Sequence, residues 1–237
     1  MLDLQALDTS GDNLRNRLAR LPEAQVVSDL LQQHQALQGE VRDLRVQVTD
    51  VTDEQSRADA DVEQVKSRQQ RDQSMVDSGA ISDPKALERM LGELESLAKR
   101  ISDLEDVELE VMERLEQLQG SLDAGEAQLV VLEGQIDQAK AALATQQAEL
   151  KTEFTQVQGE RAQLASAIPE DLMALYERIR EHKGGVAAAA LRRKECLGCG
   201  LVLNTAELAM VASAPADDVL RCEECSRILV RTSESGL

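Results

Sequence analysis

From Leu30 a mostly apolar stripe advances in alternating four- and three-residue steps: Leu30, His34, Leu37, Val41, Leu44, Val48, Val51, Gln55, Ala58, Val62, Val65, Gln69, Asp72 and Val76. A 3.5-residue period is the seam of a left-handed coiled coil, with Gln55 and Gln69 as polar core positions that set register. Residues 74–83 lose the period and hold Gly79 among turn formers. Asp83-Pro84 then reads as an N-cap and first helical position. A second seam runs in the same rhythm from Leu87 through Leu122, Gly125 and Leu150 to Glu153, Val157, Glu160 and Leu164. Two stripes joined by one short turn predict an antiparallel helical hairpin, whose return helix of some 80 residues extends roughly 120 Å. A turn centred near residue 80 sets position i against about 160 − i, and so His34 against the neighbourhood of Gly125.

Before the first seam, Leu4, Leu7, Leu14, Leu18 and Leu21 share one helix face, and Pro22 interrupts it. The pairing rule places this short helix against residues around 140–156. Beyond the second seam, Pro169-Glu170-Asp171 opens a neck helix, 169–183, with Leu172, Leu175, Tyr176 and Ile179 on its apolar face and Gly184-Gly185 at its end. The pattern then shortens. Val186–Leu191 reads as a strand or packed connector, Leu201–Leu203 and Ile228–Val230 read as strands, and Asn204 caps a short helix with Glu207 at the capping-box position. Ser233–Leu237 reads as a frayed tail. The organisation expected is a hairpin domain over 1–183, with a kink near 22 and a turn near 74–83, then a small domain over 184–237.

Composition sharpens this picture. The chain has one Phe, one Tyr and no Trp among 237 residues, so it lacks the aromatic bulk of a large globular core. Its net charge is −18, yet residues 186–237 carry 6 Lys/Arg against 7 Asp/Glu, which leaves −17 on the first 185 residues. A surface that acidic repels nucleic acid and anionic lipid along most of its length. No apolar run reaches a membrane span, and Met1-Leu2-Asp3-Leu4 has neither the basic nor the apolar region of a secretion signal. A cytoplasmic protein with no membrane partner is expected.

All four cysteines lie in two C-x-x-C pairs, Cys196/Cys199 and Cys222/Cys225. A redox motif needs one pair in a βαβ setting, and a disulfide framework suits small secreted chains. Two pairs at this spacing suit one tetrahedral Zn²⁺, and four thiolates leave no open position for water or substrate. Gly198 and Gly200 fit the tight turns such ligands need. The metal is expected to fold the module and not to catalyse. The fold class is therefore mainly α: a long antiparallel coiled-coil hairpin followed by a small C-terminal zinc ribbon of short strands and one short helix.

One stretch runs against the overall charge. Between Tyr176 and Lys194, Arg178, Arg180, Lys183, Arg192, Arg193 and Lys194 outnumber Glu177 and Glu181, a local +4. Here phosphate could dock, or the cations could serve protein docking or the charge balance of a four-thiolate zinc site. The ribbon has no aromatic side chain on which to stack bases. His34 and His182 are the only histidines, and no P-loop, dinucleotide fingerprint or nucleophile triad is present. The chain is expected to be no enzyme, with no small-molecule substrate.

The ribbon residues, C-L-G-C-G-L-x-L and R-C-E-E-C-S-R-I-L, resemble the bacterial C4-type zinc-ribbon family whose members carry a long N-terminal helical hairpin. Ile81-Ser82-Asp83-Pro84-Lys85-Ala86-Leu87 looks like that family's hairpin tip, and Gly185-Val186-Ala187 precedes the ribbon as in the family. The composition is similar to that of actinobacterial members. The resemblance implies that Cys196, Cys199, Cys222 and Cys225 are the metal ligands. It also implies an adaptor role, since members in flagellated or type III-secreting bacteria are regarded as binding an alternative sigma factor, secretion components or messenger RNA. A non-enzymatic adaptor with protein partners is the first expectation, and a DNA- or RNA-binding regulator using the basic neck is the second.

Overall fold

Proline and glycine divide the helices. A computed structural model describes residues 1–237, with α1 at Leu2–Ala19, α2 at Pro22–Asp77, α3 at Pro84–Ser166 and α4 at Glu170–His182. Pro22 starts α2 because the first helical turn needs no N–H from it. The connection to α3 is a turn at Ser78–Gly79 followed by residues 80–83 without regular secondary structure. Asp83 caps α3 by accepting from the Lys85 N–H at 3.2 Å. No helix is long and apolar enough to cross a membrane.

Contacts divide the chain into two compact units, Val26–Ala139 and Met1–Gln25 with Lys140–Leu237. The first is the antiparallel pairing of α2 with α3. Every seam position of α2 from Leu30 to Val76 is buried or half-buried, as is every seam position of α3 from Leu87 to Leu150. Across the pair, His34 meets Glu133 at 3.3 Å, Arg45 meets Glu126 at 2.7 Å and Lys66 meets Glu105 at 2.6 Å. The expected offset is thus in error by several residues. Gly125 faces Val41 and not His34: a Cβ on Gly125 would lie 2.9 Å from a Val41 methyl. The cause is the connection. It is not helical, and the pairing of Arg45 with Glu126 and Lys66 with Glu105 shows that α3 starts beyond the level at which α2 stops.

The second unit has a different logic. After Leu150 the half-buried stripe of α3 runs through Phe154, Val157, Arg161 and Ala165, one residue on from the seam except at Val157, while Glu153, Glu160 and Leu164 are exposed. The partner here is no longer α2 but α1. Gly11 of α1 sits against Phe154, Val157 and Gln158, and Arg15 lies 5.5 Å over the Phe154 ring. Short-range packing against a straight helix needs no 3.5-residue period, so the strict heptad lapses. Helix α1 consequently covers residues near 153–161, overlapping the far end of the stretch expected from the pairing rule and running past it.

A four-stranded sheet completes this unit, in the order β3-β2-β1-β4. The strands are β1 (Ala188–Arg192), β2 (Glu195–Cys196), β3 (Leu201–Val202) and β4 (Ile228–Val230), with α5 at Thr205–Ser213 between β3 and β4. Strand β1 pairs antiparallel with β2 and parallel with β4. It also serves two cores. Ala189 and Leu191 face Cys196, Leu203, Val211, Cys222, Cys225 and Leu229. Ala187 and Ala188 join Leu4, Tyr176, Ile179 and Ile228. The ribbon sheet therefore packs its second face on α1 and α4, which is why the compact units do not divide near residue 184.

Candidate metal centre and its surroundings

Each C-x-x-C pair forms a turn that folds back on its first cysteine. The Cys196 carbonyl accepts from the Cys199 and Gly200 N–H groups at 3.2 and 2.8 Å, and the Cys222 carbonyl accepts from Ser226 at 2.8 Å. The residue after each second cysteine is left-handed, Gly200 at φ 74° and Ser226 at φ 63°. Glycine fits the first at no steric cost. Gly198 has another reason: a Cβ there would lie 2.8 Å from Arg227 Cδ and 2.9 Å from the Ala189 Cβ.

The four Sγ atoms lie within 4.8 Å of one another. Cys196 and Cys225 are 3.9 Å apart, as are Cys199 and Cys222. A tetrahedron with Zn–S bonds of about 2.3 Å has edges of about 3.8 Å, so the donor set fits zinc. These separations are far longer than the ~2.05 Å of a disulfide. Burial pushes the Cys196 thiol up to about 12, against the N–H groups of Gly198 and Cys199, which favour the thiolate. Burial also raises Cys222. At Cys225 burial pulls the same way, but hydrogen bonds from the Arg227 backbone N–H and side chain and from Cys222 and Cys199 together bring the thiol down to about 7. Four converging thiolates need a cation among them, and their closed shell makes the zinc structural.

Arg227 ties this centre to the neck. It donates to the carbonyls of Val186 at 2.9 Å, Gly198 at 2.9 Å and Lys183 at 3.0 Å. Arg231 holds the end of α5 and the following loop through the carbonyls of Val211 at 3.1 Å and Ala214 at 2.6 Å. At the start of α5 the Asn204/Glu207 capping box is formed in both directions. Neither arginine had a sequence signal beyond its place near the knuckle.

The tail is docked and not frayed. Ser235 is buried, its hydroxyl donates to the Leu191 carbonyl at 3.0 Å, and Thr232 donates to the same oxygen at 3.1 Å. The carbonyls of Glu234 and Ser235 accept from Arg193 and Lys194, each at 2.8 Å. Those donors form the two-residue β1–β2 turn, where Arg193 and Lys194 have φ of 47° and 67°. Such turns favour Asn-Gly. Here the tail supplies hydrogen bonds that hold two ordinary residues in left-handed backbone.

The basic neck separates into unequal parts. Arg180 bonds Asp12 at 2.6 Å and approaches Asp8 at 3.6 Å, so it is a packing residue. Arg192 pairs with Glu234 at 2.6 Å. Arg178, Lys183, Arg193 and Lys194 are exposed. Behind them lies a polar network that the apolar pattern concealed. Tyr176, fully buried, donates to Asp8 at 2.7 Å and lies 3.2 Å from Gln5 Oε1. Gln5 accepts from the Ala187 and Ala188 N–H groups at 2.6 and 3.2 Å and donates to the Gly185 carbonyl at 2.9 Å. Arg161 bonds Asp8 at 2.7 Å and also reaches Glu177. Burial, then the Asp8 carboxylate, raises the Tyr176 pKa well above that of a free phenol.

The two parts of the chain each have known counterparts. The pattern of the CT398-like coiled coil hairpin domain matches residues 4–184. The chain belongs to the CT398-like coiled-coil hairpin family. The C4-type zinc ribbon domain matches residues 196–229, which span all four cysteines. Two uncharacterized Mycobacterium tuberculosis proteins, from different strains, are each 33% identical to this CT398-like chain over 231 residues, 98% of this chain and 94% of theirs. A solved Mycobacterium smegmatis structure has a TM-score of 0.80 at 28% identity, covering 97% of this chain and 95% of that one. CT398 of Chlamydia trachomatis shares the fold, with a TM-score of 0.67 at 16% identity over 98% of this chain and 95% of that one. A CT398-like hairpin with a C4 ribbon fits a structural or binding protein.

Proposed function

We propose that this chain is a non-enzymatic cytoplasmic adaptor that binds protein partners through its hairpin and zinc ribbon. The observation that carries this reading is the contrast within the ribbon. The metal shell is completed by four thiols, while Leu197, Leu201 and Val202, on the first knuckle and the edge strand β3, are exposed at 53, 48 and 69%. Apolar side chains on an unpaired sheet edge suit protein contact and do nothing for a structural metal. A photo-crosslinking amino acid at Val202, in the full zinc-loaded chain in cells, is expected to give a discrete protein adduct that Leu201→Glu abolishes. Adducts that survive Leu201→Glu, or none at all, would overturn this reading.

The nucleic-acid reading draws support from the exposed Arg178, Lys183, Arg193 and Lys194. It is the weaker one, because Arg180 and Arg192 are engaged by Asp12 and Glu234 and the ribbon has no aromatic residue. Fluorescence anisotropy with labelled RNA and DNA at two salt concentrations tests it. Salt-sensitive binding lost in the Arg193→Glu/Lys194→Glu variant would favour it over the adaptor.

A further inference from the structure

The hairpin unit carries most of the charge of the chain: residues 26–139 hold 26 Asp/Glu against 11 Lys/Arg, a net of −15 out of −18. Within that surface lies a groove between α2 and α3 that is nearly free of charge. Its volume is about 580 Å³. Leu37 and Leu132 form its floor, Ala36, Ala127 and Val131 its apolar sides, glutamines complete it, and Glu40 is its only charged residue. Val131 is 61% exposed there, and Ala36 and Ala127 are exposed as well.

A two-helix seam closes only where the helices face each other, and the flank between them can receive a third helix. On this flank alanines let another backbone approach, and the leucines and valine offer apolar surface at helical spacing. Charge decides the occupant. A second copy would bring its own strongly acidic hairpin against this one, so self-association is opposed by like-charge repulsion. A helix with an apolar stripe and Lys or Arg along both flanks would fill the groove and meet the surrounding acids.

We propose that the groove around Val131 is a docking site for a basic amphipathic helix of a partner protein. This rests on the adaptor reading and names the kind of partner segment it takes. The probe is a fluorescein-labelled 21-residue synthetic peptide with Leu and Ala on one helical face and Lys on its flanks, beside a scrambled peptide of the same composition. Anisotropy is read on the full zinc-loaded chain at physiological salt. The groove variants are Ala36→Glu and Val131→Glu, and the control is Val130→Glu, at a neighbouring residue 69% exposed and outside the groove lining.

Each variant adds a negative charge, so attraction by charge alone would hold or strengthen binding in all three. The proposal expects Ala36→Glu and Val131→Glu to weaken the amphipathic peptide at least tenfold, with Val130→Glu unchanged and the scrambled peptide at least tenfold weaker throughout. Equal binding of the two peptides, no loss in the groove variants, or no binding to the wild type would overturn it. Sedimentation adds one outcome: a dimer that Val131→Glu dissociates would assign the groove to a second copy and overturn the proposed occupant. The Val202 crosslink is read separately, so adducts there without peptide binding at the groove would refute this site and leave the adaptor standing.

Discussion

Removing the Asp8 carboxylate tests how much of the second unit hangs on one buried group. Asp8 is 4% exposed and receives Arg161 and the Tyr176 hydroxyl, each at 2.7 Å. Hydrogen bonds to a charged group contribute about 1.5–3 kcal/mol each. In Asp8→Ala every partner keeps a second acceptor: Arg161 keeps Glu177, Tyr176 keeps Gln5 and Arg180 keeps Asp12. The loss therefore falls near the lower bound for two such bonds, about 3 kcal/mol, which shifts a urea midpoint by about 1–3 M. Tyr176 is the only tyrosine and the chain has no tryptophan, so near-UV circular dichroism of its ring follows this unit by itself. Asp12→Ala is the comparison. Its carboxylate is 30% exposed, and solvent compensates it, so a loss of about 1 kcal/mol is expected. Equal losses for the two variants would refute the claim that burial gives Asp8 its weight.

Four further outcomes follow from the same geometry. In Tyr176→Phe, stability should stop depending on one proton above pH 10: the buried phenol keeps its proton when the unfolded one releases it, so wild-type stability falls as pH rises past 10, by up to about 1.4 kcal/mol per pH unit. A pH series of urea melts that gives wild type and variant the same slope would refute it. Removing zinc with a chelator should loosen the ribbon together with α1 and α4, because β1 is shared, and leave Val26–Ala139 protected from hydrogen exchange. Gly198→Val should weaken zinc retention in a competition assay at least tenfold, since its Cβ would meet Ala189 and Arg227. Deleting Glu234–Leu237 should raise amide exchange at Arg193 and Lys194 by two orders of magnitude or more, while a merely frayed tail would leave it unchanged.

Periodicity and spacing made much of this readable in advance. Every position that the alternating steps of α2 and α3 mark up to Leu150 is buried or half-buried, because a two-stranded seam leaves a repeating record along its length. The two C-x-x-C pairs do likewise for the metal, whose ligands come from turns of fixed length. What escaped depends on groups that leave no such record. Gln5 and Asp8 look like ordinary polar residues of an amphipathic helix until Tyr176, Ala187 and Arg161 arrive from far along the chain. Phe154 breaks the heptad by one step because its neighbour is α1. Ser235 sits in a short polar tail and is buried with its hydroxyl on the Leu191 carbonyl, a contact that composition cannot foretell. The offset of the hairpin was hidden in the non-helical connection 78–83, whose path the helical count does not include.

The position of Gln5 has a consequence for biosynthesis. Its amide is satisfied by Gly185, Ala187 and Ala188, segments translated about 180 codons later, or roughly 10–35 s at ordinary elongation rates. For most of that interval Leu4 and Asp8 have no native surroundings, since Arg161 and Tyr176 come only near its end. Helix α1 must therefore wait on the ribosome as an unsheltered amphipathic segment, and its docking reports that the ribbon strand behind it has emerged.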